Sequence, residues 1–194
     1  MKKILTIIGT RPEIIRLSRI IPILDATNEN ILVHTGQNYD YELDKIFFKD
    51  LKLRKPKYYL GAKGSFGEQI STITKKLEKI IIREKPDKFV VLGDTNSSLG
   101  SIIAKRLGVK VYHLEAGNRS FIKNSPEEIN RKIIDHVSDI NLPYTYRSCD
   151  NLVKEGIPRR KIFVVGNPIF EVINFYKHKI KHSNIIKKLE IKNN

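Results

Sequence analysis

Short apolar runs alternate with stretches of helical spacing along this chain, and that alternation constrains the fold more than any other feature. The β-rich runs are KILTIIG (3–9), ILVHTG (31–36), KFVVLG (88–93), VKVYHLEAG (109–117), DINLPY (139–144) and KIFVVG (161–166), with a weaker one in PKYYL (56–60). Helical patterns fill the intervals at 13–26, 41–49, 67–84, 97–107, 126–136, 147–155 and 169–178. In the longest of them, Ile70, Ile73, Leu77, Ile80 and Ile81 recur on one helical face. Strands apolar on both faces and joined by crossover helices imply an α/β fold with a doubly wound parallel sheet, Rossmann-like in type.

At 194 residues the chain is long enough for one domain with a sizeable core. It is 40% hydrophobic and 29% charged, the balance of a globular protein and not of a disordered one. No stretch approaches the roughly 20 apolar residues of a membrane span. The opening MKKILTIIG runs into Arg11 and a helix with no small-residue cleavage site, so it reads as a first strand and not a signal peptide. Cys149 is the single cysteine, which excludes an internal disulfide and any multi-cysteine metal site. These features suit a cytoplasmic enzyme. The formal charge of +15 invites a nucleic-acid reading. It lacks support: there is no arginine–aromatic ladder, no zinc-finger spacing and no RNP-like strand. The basic excess is heaviest from Lys154 onward. The terminal stretch FYKHKIKHSNIIKKLEIKNN (175–194) leaves the last strand–helix unit and runs basic and polar. It is expected to connect a domain over 1–180, through 181–194, to something beyond.

Ligands of open α/β sheets bind outside the carboxyl ends of the strands, where the strand order switches. The polar residues just after the strands are Thr10 and Arg11, Gln37, Asp94 and Thr95, and Glu115. Carboxylates at the ends of buried strands are costly unless paired, so Asp94 and Glu115 beside Arg11 form a candidate site. Thr10 and Glu13 fit a capping box with Pro12 in the first turn, which explains those three residues structurally. It does not explain Arg11, a cation at a helix N-terminus, where an anionic ligand is the natural companion. Ser125 and Glu128 suggest a second capping box. Glu127 is left over, either paired with Arg131 one turn on or chemically active. His34, His113 and His136 have no metal-ligand spacing and read as packed or surface histidines. Cys149 reads as an ordinary helix residue, and there is no nucleophile elbow.

The segments GTRPEIIR (9–16), HTGQNYD (34–40), GDTNSSLG (93–100), HLEAGNRS (113–120), PEEINRKIIDHVSDINLPYT (126–145) and VVGNPIFEV (164–172) together resemble the non-hydrolysing UDP-N-acetylglucosamine 2-epimerase family. The resemblance runs from residue 1 to about 180 and implies the N-terminal half of a GT-B type two-domain fold. It implies Asp94, Glu115 and Glu127 as catalytic carboxylates and Arg11 as the active-site arginine. Arg16 stands where relatives often carry lysine, and Thr10, Gln37, Thr95 and Arg119 complete the expected substrate-binding set. The implied reaction inverts carbon 2 of a UDP-N-acetylhexosamine by eliminating UDP and adding it back from the other face. That chemistry asks for proton carriers on both faces of the sugar and needs no cofactor and no metal.

The resemblance also implies a UDP-sugar as partner, a homodimer, and a second UDP-binding domain in cis or as a separate chain. That domain supplies a HREN-like segment absent from this sequence, so the chain is expected to be inactive alone. The loop GNRSFIKNSPEE (117–128) is shorter than in typical members. It resembles the branch forming UDP-N-acetyl-L-fucosamine for capsule and O-antigen, which puts the family's allosteric site, with Gln37 and Gln69 as candidates, in question. Two other readings stand beside the epimerase: half of a GT-B glycosyltransferase, and a non-catalytic binding or assembly remnant.

Overall fold

The computed structural model describes residues 1–37, 41–122, 124–185 and 189. Six parallel strands form one sheet: β1 (Lys3–Ile8), β2 (Glu29–His34), β3 (Tyr58–Tyr59), β4 (Lys88–Leu92), β5 (Lys110–Leu114) and β6 (Ile140–Leu142). Their order is β3-β2-β1-β4-β5-β6, so the chain winds outward one way from β1, then returns to the centre and winds the other way from β4. The switch point lies between β1 and β4, where Ile4 is in register with Lys88 and Thr6 with Val90.

Alternation along each strand splits the core in two. Leu5, Ile7, Phe89, Val91 and Val111 pack on one face beneath α4 (Phe66–Glu84), α5 (Gly100–Arg106) and α6 (Pro126–Val137). Ile4, Ile8, Leu32, Val90 and Leu92 pack on the other face beneath α1 (Arg11–Leu17), α2 (Ile20–Thr27) and α3 (Tyr41–Asp50). On α4, Ile73, Leu77, Ile80 and Ile81 are buried and Ile70 packs against them, as the spacing predicts. Side chains such as Leu77 each contribute about 1.5–3 kcal/mol by leaving water. A satellite cluster of Ala116, Cys149, Leu152, Ile157 and Ile162 lies under α7 (Tyr146–Lys154).

The elements depart from the sequence expectation in four places. The helix expected over 13–26 is two, because Pro22 has no N–H to offer the carbonyl of Ser18, and the Ser18 hydroxyl instead donates to Ile15 O at 2.7 Å. The helix expected over 97–107 begins as a 3-10 turn, Asn96–Leu99, before α5. The run KIFVVG is not a strand. It lies beside β6 and makes one parallel bridge, Asn141 to Ile162. Phe163 and Val165 donate to the carbonyls of Asn141 and Pro143 at 3.0 Å each, but Pro143 has no N–H to return a bond, so the ladder stops. The final helix, α8 (Ile169–Lys181), runs three residues beyond its expected end. Most of the expected connection at 181–194 lies outside the described residues.

Candidate active site

The loop leaving β1 is built around a carboxylate. The N–H groups of Gly9 and Thr10 donate to Glu13 Oε2 at 2.6 and 2.7 Å, and the Thr10 hydroxyl joins at 3.2 Å. The other oxygen, Oε1, accepts the Thr95 hydroxyl at 2.6 Å, which ties the β1 loop to the β4 loop across the switch point. The expected capping box is present. Glu13 is also buried, and burial pushes its carboxyl up to about 7 despite the hydrogen bonds from Thr95, Gly9 and Thr10 that favour the ionised form. A second tie comes from Gln37, whose Oε1 accepts from the N–H and hydroxyl of Ser97 at 3.2 and 3.1 Å.

Beyond these ties lie two carboxylates, each held by an arginine from a different helix. Glu115, immediately past β5, accepts from Arg16 of α1 at 2.7 Å and from the Asn118 amide at 3.2 Å. It sits at φ +70°, a left-handed conformation that costs a side-chain-bearing residue on the order of 1–3 kcal/mol and is most often tolerated at functional sites. Asp94 pairs with Arg131 of α6, while the neighbouring Asn130 donates to the Asp94 carbonyl at 2.8 Å. Consecutive residues of α6 therefore hold both the backbone and the side chain of Asp94. The two carboxylates feel each other. Burial raises the Glu115 carboxyl above its ordinary value, Arg16 pulls it back, and the negative Asp94 pushes it up again. The Tyr144 phenol beside it is also raised, by burial and then by the charge of Glu115.

This arrangement places proton carriers and cations at the carboxyl ends of β4 and β5, beside β1. A family model described as UDP-N-acetylglucosamine 2-epimerase matches residues 24–194. The chain belongs to the UDP-N-acetylglucosamine 2-epimerase family. A UDP-N-acetylglucosamine 2-epimerase of Methanocaldococcus jannaschii is 48% identical over 172 residues, 87% of this chain and 47% of that protein. A UDP-2,3-diacetamido-2,3-dideoxy-D-glucuronate 2-epimerase of Pseudomonas aeruginosa is 42% identical over 180 residues, 90% of this chain and 51% of that one. A crystal structure of the M. jannaschii enzyme in complex with UDP-GlcNAc and UDP superimposes with a TM-score of 0.91 at 43% identity, covering 96% of this chain and 52% of that one. The chain thus spans about half the length of these epimerases.

The residues expected from sequence are distributed unevenly within the fold. Asp94, Glu115 and Arg16 are drawn into paired charges, and Thr10, Thr95 and Gln37 are committed to holding the loops around them. Arg11 is exposed at the rim, with no side-chain hydrogen bond or ion pair among the described residues. Glu127 is exposed on the first turn of α6 and accepts the Ser125 hydroxyl at 2.7 Å, which holds its carboxyl below the usual range. It forms no ion pair with Arg131, which turns to Asp94 and Glu128 instead.

Two expectations need correction. The Arg119 side chain is only 1% exposed, with Asp135 at 2.8 Å and Glu155 at 2.5 Å from Nη2. Its Nε donates to Glu155 and its Nη1 to the Asn118 carbonyl, so all three nitrogens are engaged within the protein. The second capping box is half formed. Ser125 accepts the Glu128 N–H at 3.4 Å, but the Glu128 carboxylate turns to the N–H and hydroxyl of Ser120 and pins the loop after β5. Sequence reasoning missed Arg131 and Asn130 as site residues. Their signal was position: both lie on the same helix as Glu127, within about one turn of it.

Proposed function

We propose that this chain is the sugar-handling half of a UDP-N-acetylhexosamine 2-epimerase, inverting carbon 2 by elimination and re-addition of UDP. The observation that carries the reading is the pair Asp94–Arg131 and Glu115–Arg16 at the ends of neighbouring strands, with the Glu115 carboxyl raised above its ordinary value by burial. The proton on carbon 2 has no adjacent carbonyl to acidify it. As the bond from carbon 1 to UDP breaks, positive charge builds at carbon 1 and a carboxylate removes the proton from carbon 2, whose electrons form the double bond of a glycal. Delivery of a proton to the other face needs a second acid. A carboxylate that is partly buried and held close to another negative charge keeps its proton to higher pH than a free one, which suits it to proton transfer. Arg11, unpaired at the rim, is free to meet the departing diphosphate, and Glu127 is the third carboxylate assigned by resemblance.

The complete reaction requires a second UDP-binding half, as a continuation of the chain or as a separate one, and the active assembly is a homodimer in the cytoplasm serving surface polysaccharide synthesis. The test offers the chain UDP-N-acetylglucosamine, UDP-N-acetyl-L-fucosamine and UDP-2,3-diacetamido-2,3-dideoxy-D-glucuronate, with and without a second half supplied from a relative. Formation of the C2 epimer from one of these, only when both halves are present, supports the proposal and identifies the sugar. Failure with all three, given both halves folded and associated, overturns it.

A further inference from the structure

His113 is fully buried at the end of β5, and nothing in the proposed reaction uses it. Its ring lies between two oxygens: Nδ1 is 2.8 Å from Asp135 Oδ1, and Nε2 is 3.0 Å from the carbonyl of Gly93. A carbonyl oxygen can only accept, so Nε2 carries a hydrogen; a bare nitrogen there would set lone pair against lone pair. Asp135 leaves no more freedom at Nδ1. Its Oδ2 faces Arg119 Nη2 at 2.8 Å, and the Gly117 N–H points at both oxygens, at 3.3 and 3.2 Å. Arg119 Nη2 and the Gly117 N–H both donate to the Asp135 carboxylate, so it is an acceptor too.

We propose that His113 is a buried, doubly protonated imidazolium that acts as a positioning residue, clamping the loop that carries Asp94 to the loop that carries Glu115. The charges close on this assignment. His113 and Arg119 are positive, Asp135 and Glu155 negative, and the four are linked by contacts of 2.5–2.8 Å. A neutral histidine would leave the fully buried Asp135 to share the single charge of Arg119 with Glu155, which is part-exposed and also faces Lys132. The clamp bears directly on the site. Gly93 immediately precedes Asp94, Gly117 follows Glu115 by two residues, and Asp135 lies on α6, the helix whose Asn130 and Arg131 hold Asp94.

His113 also acts on Glu115 through its charge. The groups facing that carboxyl are Arg16 of α1, Asp94 after β4, His113 of β5, Asn118 in the following loop, Arg131 of α6 and Tyr144 after β6. The positive ring holds the Glu115 carboxyl below where burial alone would put it. The importance of this tuning for catalysis rests on the epimerase reading, but the charge state of His113 does not. The two fail separately, because the spectrum below is recorded on the chain alone with no substrate.

The test is a long-range proton–nitrogen NMR correlation of the full chain labelled at histidine nitrogens, at pH 7. His113 is expected to show two protonated, imidazolium-type nitrogens, identified by loss of that signal in His113→Gln. An unprotonated nitrogen at His113 overturns the proposal. In Asp135→Asn the imidazolium signature is expected to disappear, because the amide can donate to Nδ1; its persistence counts against the clamp. With the fold retained by circular dichroism, His113→Gln shifts the carbon-13 titration of the Glu115 carboxyl to higher pH, and an unmoved titration contradicts the electrostatic role.

Discussion

Glu115 and Glu13 show how one residue type takes two characters in the same sheet edge. Glu115 is raised first by burial, then pulled back by Arg16 and pushed up again by Asp94. Replacing Arg16 with Gln removes the charge that pulls it down, and the Glu115 carboxyl is predicted to titrate at higher pH in a carbon-13 experiment. Asp94→Asn is predicted to move it the other way. Glu13 is a titrating group in the scaffold. Its native value of about 7 lies above the ordinary 4.5, so the folded state binds a proton that the unfolded chain releases. The stability linked to that proton is fully present below pH 4.5 and is lost as pH rises through 7. The loss is at most about 3 kcal/mol. Urea unfolding at pH 5.5 and pH 8.5 measures it, and Glu13→Gln is predicted to remove that part of the pH slope. None of this was legible in the sequence. The capping box explained Glu13 completely, and burial, which shifts its titration, is a property of the packed sheet. Arg131 was overlooked for a related reason: one turn from Glu127 it looked like a helix-surface partner, whereas α6 turns it toward β4.

At the scale of elements, the loops at the carboxyl edge are held by close packing as much as by charge. A methyl group on Gly9 would come within 2.1 Å of both the Ser97 and Thr35 hydroxyls, which are hydrogen-bonded to each other at 2.6 Å. Gly9→Ala is therefore predicted to destabilise the chain by about 1–3 kcal/mol in chemical denaturation. Leu77→Ala, in the middle of α4, is predicted to cost about 2–5 kcal/mol while leaving the Glu115 titration in place, because α4 supports the sheet and touches neither carboxylate. The alternating pattern was enough to place nearly every element, since burial on both faces leaves strands little choice of partner. It failed at KIFVVG, where β-rich composition met a neighbour, Pro143, unable to complete the ladder. Sequence reports a segment's own propensity and is silent about which hydrogen bonds the next strand has to offer.

For the whole molecule, the strand order puts β1, β4 and β5 side by side, and with them Arg16, Asp94 and Glu115 from positions up to 99 residues apart. The sequence announced Asp94 and Glu115 as residues following strands, with Arg11 as their expected companion and Arg16 implied by resemblance; the doubly wound topology brings Arg16 to Glu115 and leaves Arg11 at the surface. It could not announce which cations were already committed. Arg119 follows β5 as conspicuously as Arg11 follows β1, but the fold encloses the first in a buried charge cluster and leaves the second at the surface. The chain spans about half of its relatives, so the pair of carboxylates is proposed to meet its leaving group only when a second half is present. The most direct test is deuterium entry at carbon 2 of the UDP-sugar in heavy water, with the second half supplied, for the native chain and for Asp94→Asn and Glu115→Gln. Label in the native assembly and its loss in both variants is the predicted result. Undiminished labelling in both variants would contradict the assignment of Asp94 and Glu115 to proton transfer.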